Sequence, residues 1–329
     1  MKITTSHKDW VFIAKGIGIT LVAIGHFTTA NNPDLWRSIK EIIYTFHMPL
    51  FFILSGYLYS GTEGSLKNHY DKKVHRLIYP FISIAILFLA IKYVAALFLE
   101  LQNPVTFSGL STLITNPVHS YMPLLWFLHC LFIIFIAYPL LQKIMVSNMV
   151  IAIWFVAINI IIGSDTAIIG NSIYYLPFFA LGVSLRSEVS FIEHKQYKAL
   201  SSGIFLAMFI AIYHYTPERT YLTKSALGLT GALFTILISQ IISTCSLNMI
   251  RSFIMLLGYY SMSIYLFHTL FESAVRIFFS HTLGLDGVYF WLAAATAIFS
   301  GLLFPLLLEK HFLRENKYTR IYILGLEKK

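Results

Sequence analysis

Apolar runs of about 20 residues recur from one end of this chain to the other. A helix of that length crosses the hydrocarbon core of a bilayer, and no other feature limits the fold so strongly. In lipid the backbone must satisfy its own polar groups, so only helices or closed barrels can span. A barrel would show alternating segments of about ten residues, whereas these runs are continuous. The expectation is an all-α polytopic membrane protein of about ten transmembrane helices. They fall near residues 10–30, 39–60, 79–101, 124–142, 147–164, 170–185, 199–215, 225–244, 252–275 and 287–309. Only 12% of the residues are charged, against about 25% in an ordinary soluble domain. The 329 residues leave no room for a soluble domain of roughly 100 residues or more, so 1–329 is expected to be one membrane domain. The first run is too long for a cleaved signal peptide and reads as a retained span. Cys130 and Cys245 lie in apolar runs and read as packing residues, with no disulfide or metal site implied.

A net charge of +9 would suggest nucleic acid in a soluble protein. In a membrane protein, Lys and Arg instead sort to the cytoplasmic loops, so lipid is the implied partner and nucleic acid is not. With the N-terminus inside, only Arg37, Lys40, Arg219, Lys224 and Arg276 of the 24 Lys and Arg fall in outer loops. Lys15 and Lys92 lie within spans, and the rest are cytoplasmic. That bias puts both termini in the cytoplasm; the chain is expected to be a multi-pass protein of the cell inner membrane.

The first span reads "KGIGITLVAIGH" from residue 15. His26 lies eleven positions after Lys15, about three helical turns, so both side chains share one face roughly 16 Å apart. Ionisable groups inside a membrane are costly and usually face a polar cavity. One reading is a passage with a cation near its inner mouth and an imidazole further in. The other is that Lys15 snorkels to the interface and His26 bonds a neighbouring helix. Gly16, Gly18 and Gly25 suggest close helix packing or close approach of a ligand. The second span, "YTFHMPLFFILSGYLYSG", places His47 at a depth comparable to His26, with Pro49 as a candidate kink. Lys72, Lys73, His75 and Arg76 cluster just before the third span. They suit topology control and anionic lipid, or a grip on the phosphates of a cytoplasmic donor.

Six stretches together carry a family resemblance: "DWVFIAKGIGITLVAIGH", "FHMPLFFILSGYLYS", "KKVHRLIYPF", "LWFLHCLFIIFIAYPLL", "YYLPFFALGVSL" and "GYYSMSIYLFH". The chain resembles the acyltransferase-3 family of integral membrane O-acyltransferases, and within it the fucose 4-O-acetyltransferase-like branch. The resemblance implies ten membrane helices and transfer of an acyl group, usually acetyl, from cytoplasmic acyl-CoA to a sugar hydroxyl at the outer face. The family's basic-x10-histidine motif falls on Lys15 and His26. Lysine is a departure, since many members have arginine; it keeps the charge but loses the bidentate phosphate grip. The family's basic pair falls on Lys73 and Arg76. Its Phe-His-x-Pro-Leu-Phe-Phe stretch falls on Phe46, His47, Pro49, Leu50, Phe51 and Phe52. The soluble esterase-like domain of some members is not expected here.

The chemistry follows from the substrates. A thioester is already activated, so the sugar hydroxyl needs a base as it attacks. His26 is the candidate base or transient acyl carrier. His47 would orient it or stabilise the developing oxyanion. Lys15, Lys73 and Arg76 would hold the phosphates of acetyl-CoA, the acyl donor, and no metal is expected. His268 in "IYLFHTLFE" is a third histidine candidate, with Glu272 one turn later on the same face. Trp126 and His129 could line the entrance for a glycan acceptor, although an interfacial belt also suits Trp126. A transporter or flippase would also carry intramembrane histidines and lysines, but the chain shows no internal repeat of the kind many transporters have.

Overall fold

The computed structural model describes residues 9–61, 65–98, 105–145, 147–162, 170–187, 195–246 and 248–326. Residues 163–169 of the "GSDTAIIG" connection lie outside the described residues, as do Lys2, Lys8, Lys328 and Lys329 of the charge pattern. Among the described residues every regular element is a helix. In chain order these are α1 (Asp9–His26), α2 (Asp34–Tyr57), α3 (Leu66–Lys73), α4 (Tyr79–Ala95), α5 (Phe107–Thr115), α6 (Trp126–Ile144) and α7 (Asn148–Ile162). They continue with α8 (Gly170–Ser187), α9 (Lys195–Tyr215), α10 (Tyr221–Thr244), α11 (Asn248–Tyr259), α12 (Ser261–Thr282), α13 (Val288–Leu308) and α14 (Lys317–Tyr322). The chain is thus an all-α, multi-pass membrane protein. Six described segments are long and apolar enough to cross a membrane, and up to seven if α11 and α12 count as one bent span. α2 does not qualify, because Asp34, Arg37, Lys40 and Glu41 load its first turns with charge.

Three local readings change. The run expected as one span over 252–275 is broken: α11 and α12 meet at an 83° bend. The basic cluster before the third span is helical, since a π-helical turn, Val74–Ile78, joins α3 to α4. Lys40 and Arg276, expected in outer loops, are half-buried helical residues of α2 and α12. Counting charges near span ends cannot tell a loop from the first or last turns of a helix.

The chain forms two compact units. One contains the chain up to Tyr57 together with Leu185–Glu309, hence α1, α2 and α9 to α13. Its centre is α1, which packs on α2, α10, α11, α12 and α13. Small residues permit this. A side chain at Gly16 would strike the backbone oxygen of Ile254, and one at Gly258 would strike that of Phe12. The two glycines let α1 and α11 cross backbone to backbone. Gly18 faces Phe51 and Leu50, and Gly25 faces Tyr44, so the glycines of α1 serve helix packing.

The other unit contains Leu58–Ser184 and the chain from Lys310 onward. Ser65 caps α3 by accepting the Asn68 amide at 3.2 Å, the usual remedy for an unsatisfied first turn. Its core is aromatic: Tyr138 and Phe179 are fully buried, and Tyr59 and Phe135 pack edge-on or tilted against them.

Candidate active site

A helix ends with carbonyls that have no partner within it. At the end of α1 those carbonyls are taken up by side chains from other helices. The Tyr44 hydroxyl of α2 donates to Gly25 O at 2.5 Å, and Trp36 Nε1 donates to Phe27 O at 3.1 Å. Arg276 Nη1 of α12 donates to Thr28 O at 3.0 Å. Beyond α1, Asn32 ties the turn by accepting from the Thr29 amide at 2.9 Å. Phe27, Trp36, Phe279 and Phe290 close an apolar cluster next to it. The last residue of α1, His26, is therefore held between α2 and α12.

Three histidines converge there. The rings of His26 and His268 lie 5.2 Å apart, inclined at 61°. Tyr44 links His26 to His47: its ring is 6.3 Å from that of His26 and 5.3 Å from that of His47. His47 and His268 share one local design. His47 Nδ1 lies 2.8 Å from Ile43 O, and His268 Nδ1 lies 2.8 Å from Ile264 O and 3.0 Å from Tyr265 O. A carbonyl can only accept, so each Nδ1 carries a proton, and in the neutral ring each Nε2 keeps its lone pair. His268 is fully buried and His47 nearly so. The Nε2 of His268 has no hydrogen-bond partner among the described residues.

Glu272 sits one turn beyond His268 on the same face of α12. It is buried at 4% exposure, and its Oε1 also has no hydrogen-bond partner among the described residues. Its carboxyl lies in the notch left by Gly301 of α13, where a Cβ would stand 2.9 Å from Oε1. Lys40, Arg276 and Tyr44 are its electrostatic neighbours, and Lys40 Nζ lies 5.8 Å from the Tyr44 ring centroid. Among the described residues no group of His, Cys, Asp and Glu could hold a metal ion.

Of the residues singled out from the sequence, His26, His47 and His268 come together in one unit, and Lys15 lies on the same helix as His26. Lys73, Arg76, Trp126 and His129 belong to the other unit. There, Lys73 Nζ stacks 3.7 Å from the Phe135 ring centroid. Arg76 is exposed on the π-helical turn, beside Gly325. Trp126 packs on Tyr175 at 5.4 Å, and His129 on Phe81 at 6.4 Å. Tyr44, Lys40 and Arg276 were not picked out. A tyrosine near a span end reads as an interfacial anchor, and a span-end cation reads as a loop charge. The available signal was spacing, because Lys40, Tyr44 and His47 recur at helical intervals on α2.

The acyltransferase-3 family, whose description is "Acyltransferase domain", matches residues 8–310. The chain belongs to this family. Two relatives of the acyltransferase-3 protein are both nodulation protein NolL. That of Mesorhizobium japonicum is 32% identical over 190 residues, covering 54% of this chain and 48% of the relative. That of Sinorhizobium fredii is 29% identical over 189 residues, with the same shares. The chain spans about half the length of the curated relatives it matches. No solved structure matches it.

Proposed function

We propose that this acyltransferase-3 protein is a membrane O-acetyltransferase that moves acetyl from acyl-CoA to a sugar hydroxyl of a surface or lipid-linked glycan. The observation that carries the proposal is the convergence of His26, His47 and His268 at the end of α1. The acceptor hydroxyl gives its proton to His26 as its oxygen attacks the thioester carbonyl. The carbon–sulfur bond breaks, and the proton passes to the departing sulfur, leaving an ester and a free thiol. Histidine suits both transfers because its ordinary pKa, about 6.5, lies near neutrality. His47 and His268, each with Nδ1–H donated to backbone, present fixed rings beside it. Lys15, Lys73 and Arg76 are each proposed as a cation for the donor's phosphates.

The test uses membranes carrying the protein, acetyl-CoA labelled in the acetyl group, and candidate glycans. Labelled ester should form, and His26→Ala at matched membrane levels should lower transfer by at least about 10²-fold. An active His26→Ala or His26→Gln protein would refute the assignment of the base. The proposal also includes both termini in the cytoplasm of an inner-membrane protein. Single-cysteine variants near residue 115 should label from outside, and those near residue 70 should not; the reverse pattern defeats that orientation.

A further inference from the structure

The transfer mechanism leaves one buried group unused. Glu272 is 4% exposed, its Oε1 accepts no hydrogen bond from any described residue, and the same holds for the buried Nε2 of His268. A buried acceptor without a donor costs about 1–3 kcal/mol, and more when charged. Two such atoms one helical turn apart mark a place where something else supplies the donors. The surroundings constrain what that is. Gly301 makes the notch in which the Glu272 carboxyl lies, a Cβ there standing 2.9 Å from Oε1. Lys40 and Arg276 approach the carboxyl as electrostatic neighbours, yet neither donates to Oε1. The His268 ring is 5.2 Å from that of His26, so one of the two unpaired groups adjoins the proposed base.

We infer that Glu272 and His268 form an acceptor subsite in which Glu272 binds the hydroxyl neighbouring the reacting one on a sugar ring and His268 binds a third, so that the preferred acceptor is a vicinal triol. Side chains four residues apart on a helix stand about 5–6 Å apart at Cβ, a separation that one sugar ring can bridge with two hydroxyls. Each hydroxyl is a donor, which is what both unpaired atoms lack. A site built to accept a hydroxyl rejects the analogue without it, because its own buried atom is then left unpaired. This subsite rests on the acetyl-transfer reading above and adds to it the substrate class and the residue that selects it.

The experiment measures labelled acetyl transfer to methyl α-L-fucopyranoside, methyl β-D-glucopyranoside and their monodeoxy analogues. In the native protein, removing the hydroxyl adjacent to the acetylated one should lower kcat/KM on the order of 10- to 100-fold. In Glu272→Ala the full glycoside should already be poor, and the same deoxy analogue should cost little more. Glu272→Gln keeps one oxygen acceptor and should recover part of the loss. Gly301→Ala pushes its Cβ against the flexible end of Glu272, so it should shift the carboxyl and reproduce the Ala pattern more weakly. Should Glu272→Ala fail to reach the membrane, the Gln and Gly301 variants carry the comparison. Equal losses on the deoxy analogue in native protein and variants would overturn the subsite while leaving acetyl transfer standing. No ester from either glycoside with native protein would overturn the sugar-transfer reading, and the subsite with it.

Discussion

Each unit contains buried histidine, and the two use it differently. In the unit with α3 and α6, His69 is buried, its Nε2 lies 3.2 Å from Phe135 O, and its ring packs against Tyr59 and Phe135. The nearby cation follows the same pattern, with Lys73 lying on the face of Phe135. In the unit built round α1, His268 is just as buried, but the ring nitrogen beyond its backbone bond has no partner among the described residues. Burial alone therefore does not distinguish a structural histidine from a working one. What differs is the second partner: His69 makes backbone hydrogen bonds at both Phe135 and Gly61, whereas His268 Nε2 has none among the described residues, which is costly unless a substrate supplies the missing donor.

The sharpest way to break this contrast is to make the same change in both places. His268→Gln should lower acetyl transfer by about 10-fold or more with little change in thermal stability of the purified protein. His69→Gln should behave in the opposite way. It should lower stability by about 1–3 kcal/mol, the cost of a disturbed buried hydrogen bond, with kcat per folded molecule near native. If His69→Gln abolished transfer in stable protein, the contrast would be lost. The smallest expected effect concerns Lys73. A cation over an aromatic ring contributes about 0.5–2 kcal/mol, so Lys73→Met should cost modest stability. If Lys73 also holds donor phosphate, the apparent KM for acyl-CoA should rise while kcat stays close to native. An unchanged KM would leave Lys73 with its packing role alone.

Much of this architecture was legible in advance, for a specific reason. In lipid, apolar length and helix are nearly the same statement, and each expected span falls on one or two helices. That Lys15 and His26 share one helix was legible because helical spacing is local. The site as a whole was not, because His268 reaches His26 across most of the chain and no periodicity within one segment encodes a contact between α1 and α12. The bend between α11 and α12 escaped because "GYYSMS" holds no proline, and a lone glycine also suits close packing, the use Gly258 in fact has. Lys40 and Arg276 were misplaced because a rule about loops was applied to residues that continue a helix.

The 83° break leaves α11 only 12 residues long, roughly 18 Å of helix against a hydrocarbon core of about 30 Å. Such a segment is a poor independent guest for the insertion machinery. It gains its place by docking Gly258 against α1, which was synthesised more than two hundred residues earlier. α1 and α12 thus meet late in biogenesis, and a nascent protein halted before α12 carries His26 and His47 with no counterpart. Catalytic competence would then arise only once α12 has been made, so a copy halted before it would be inert in the proposed transfer.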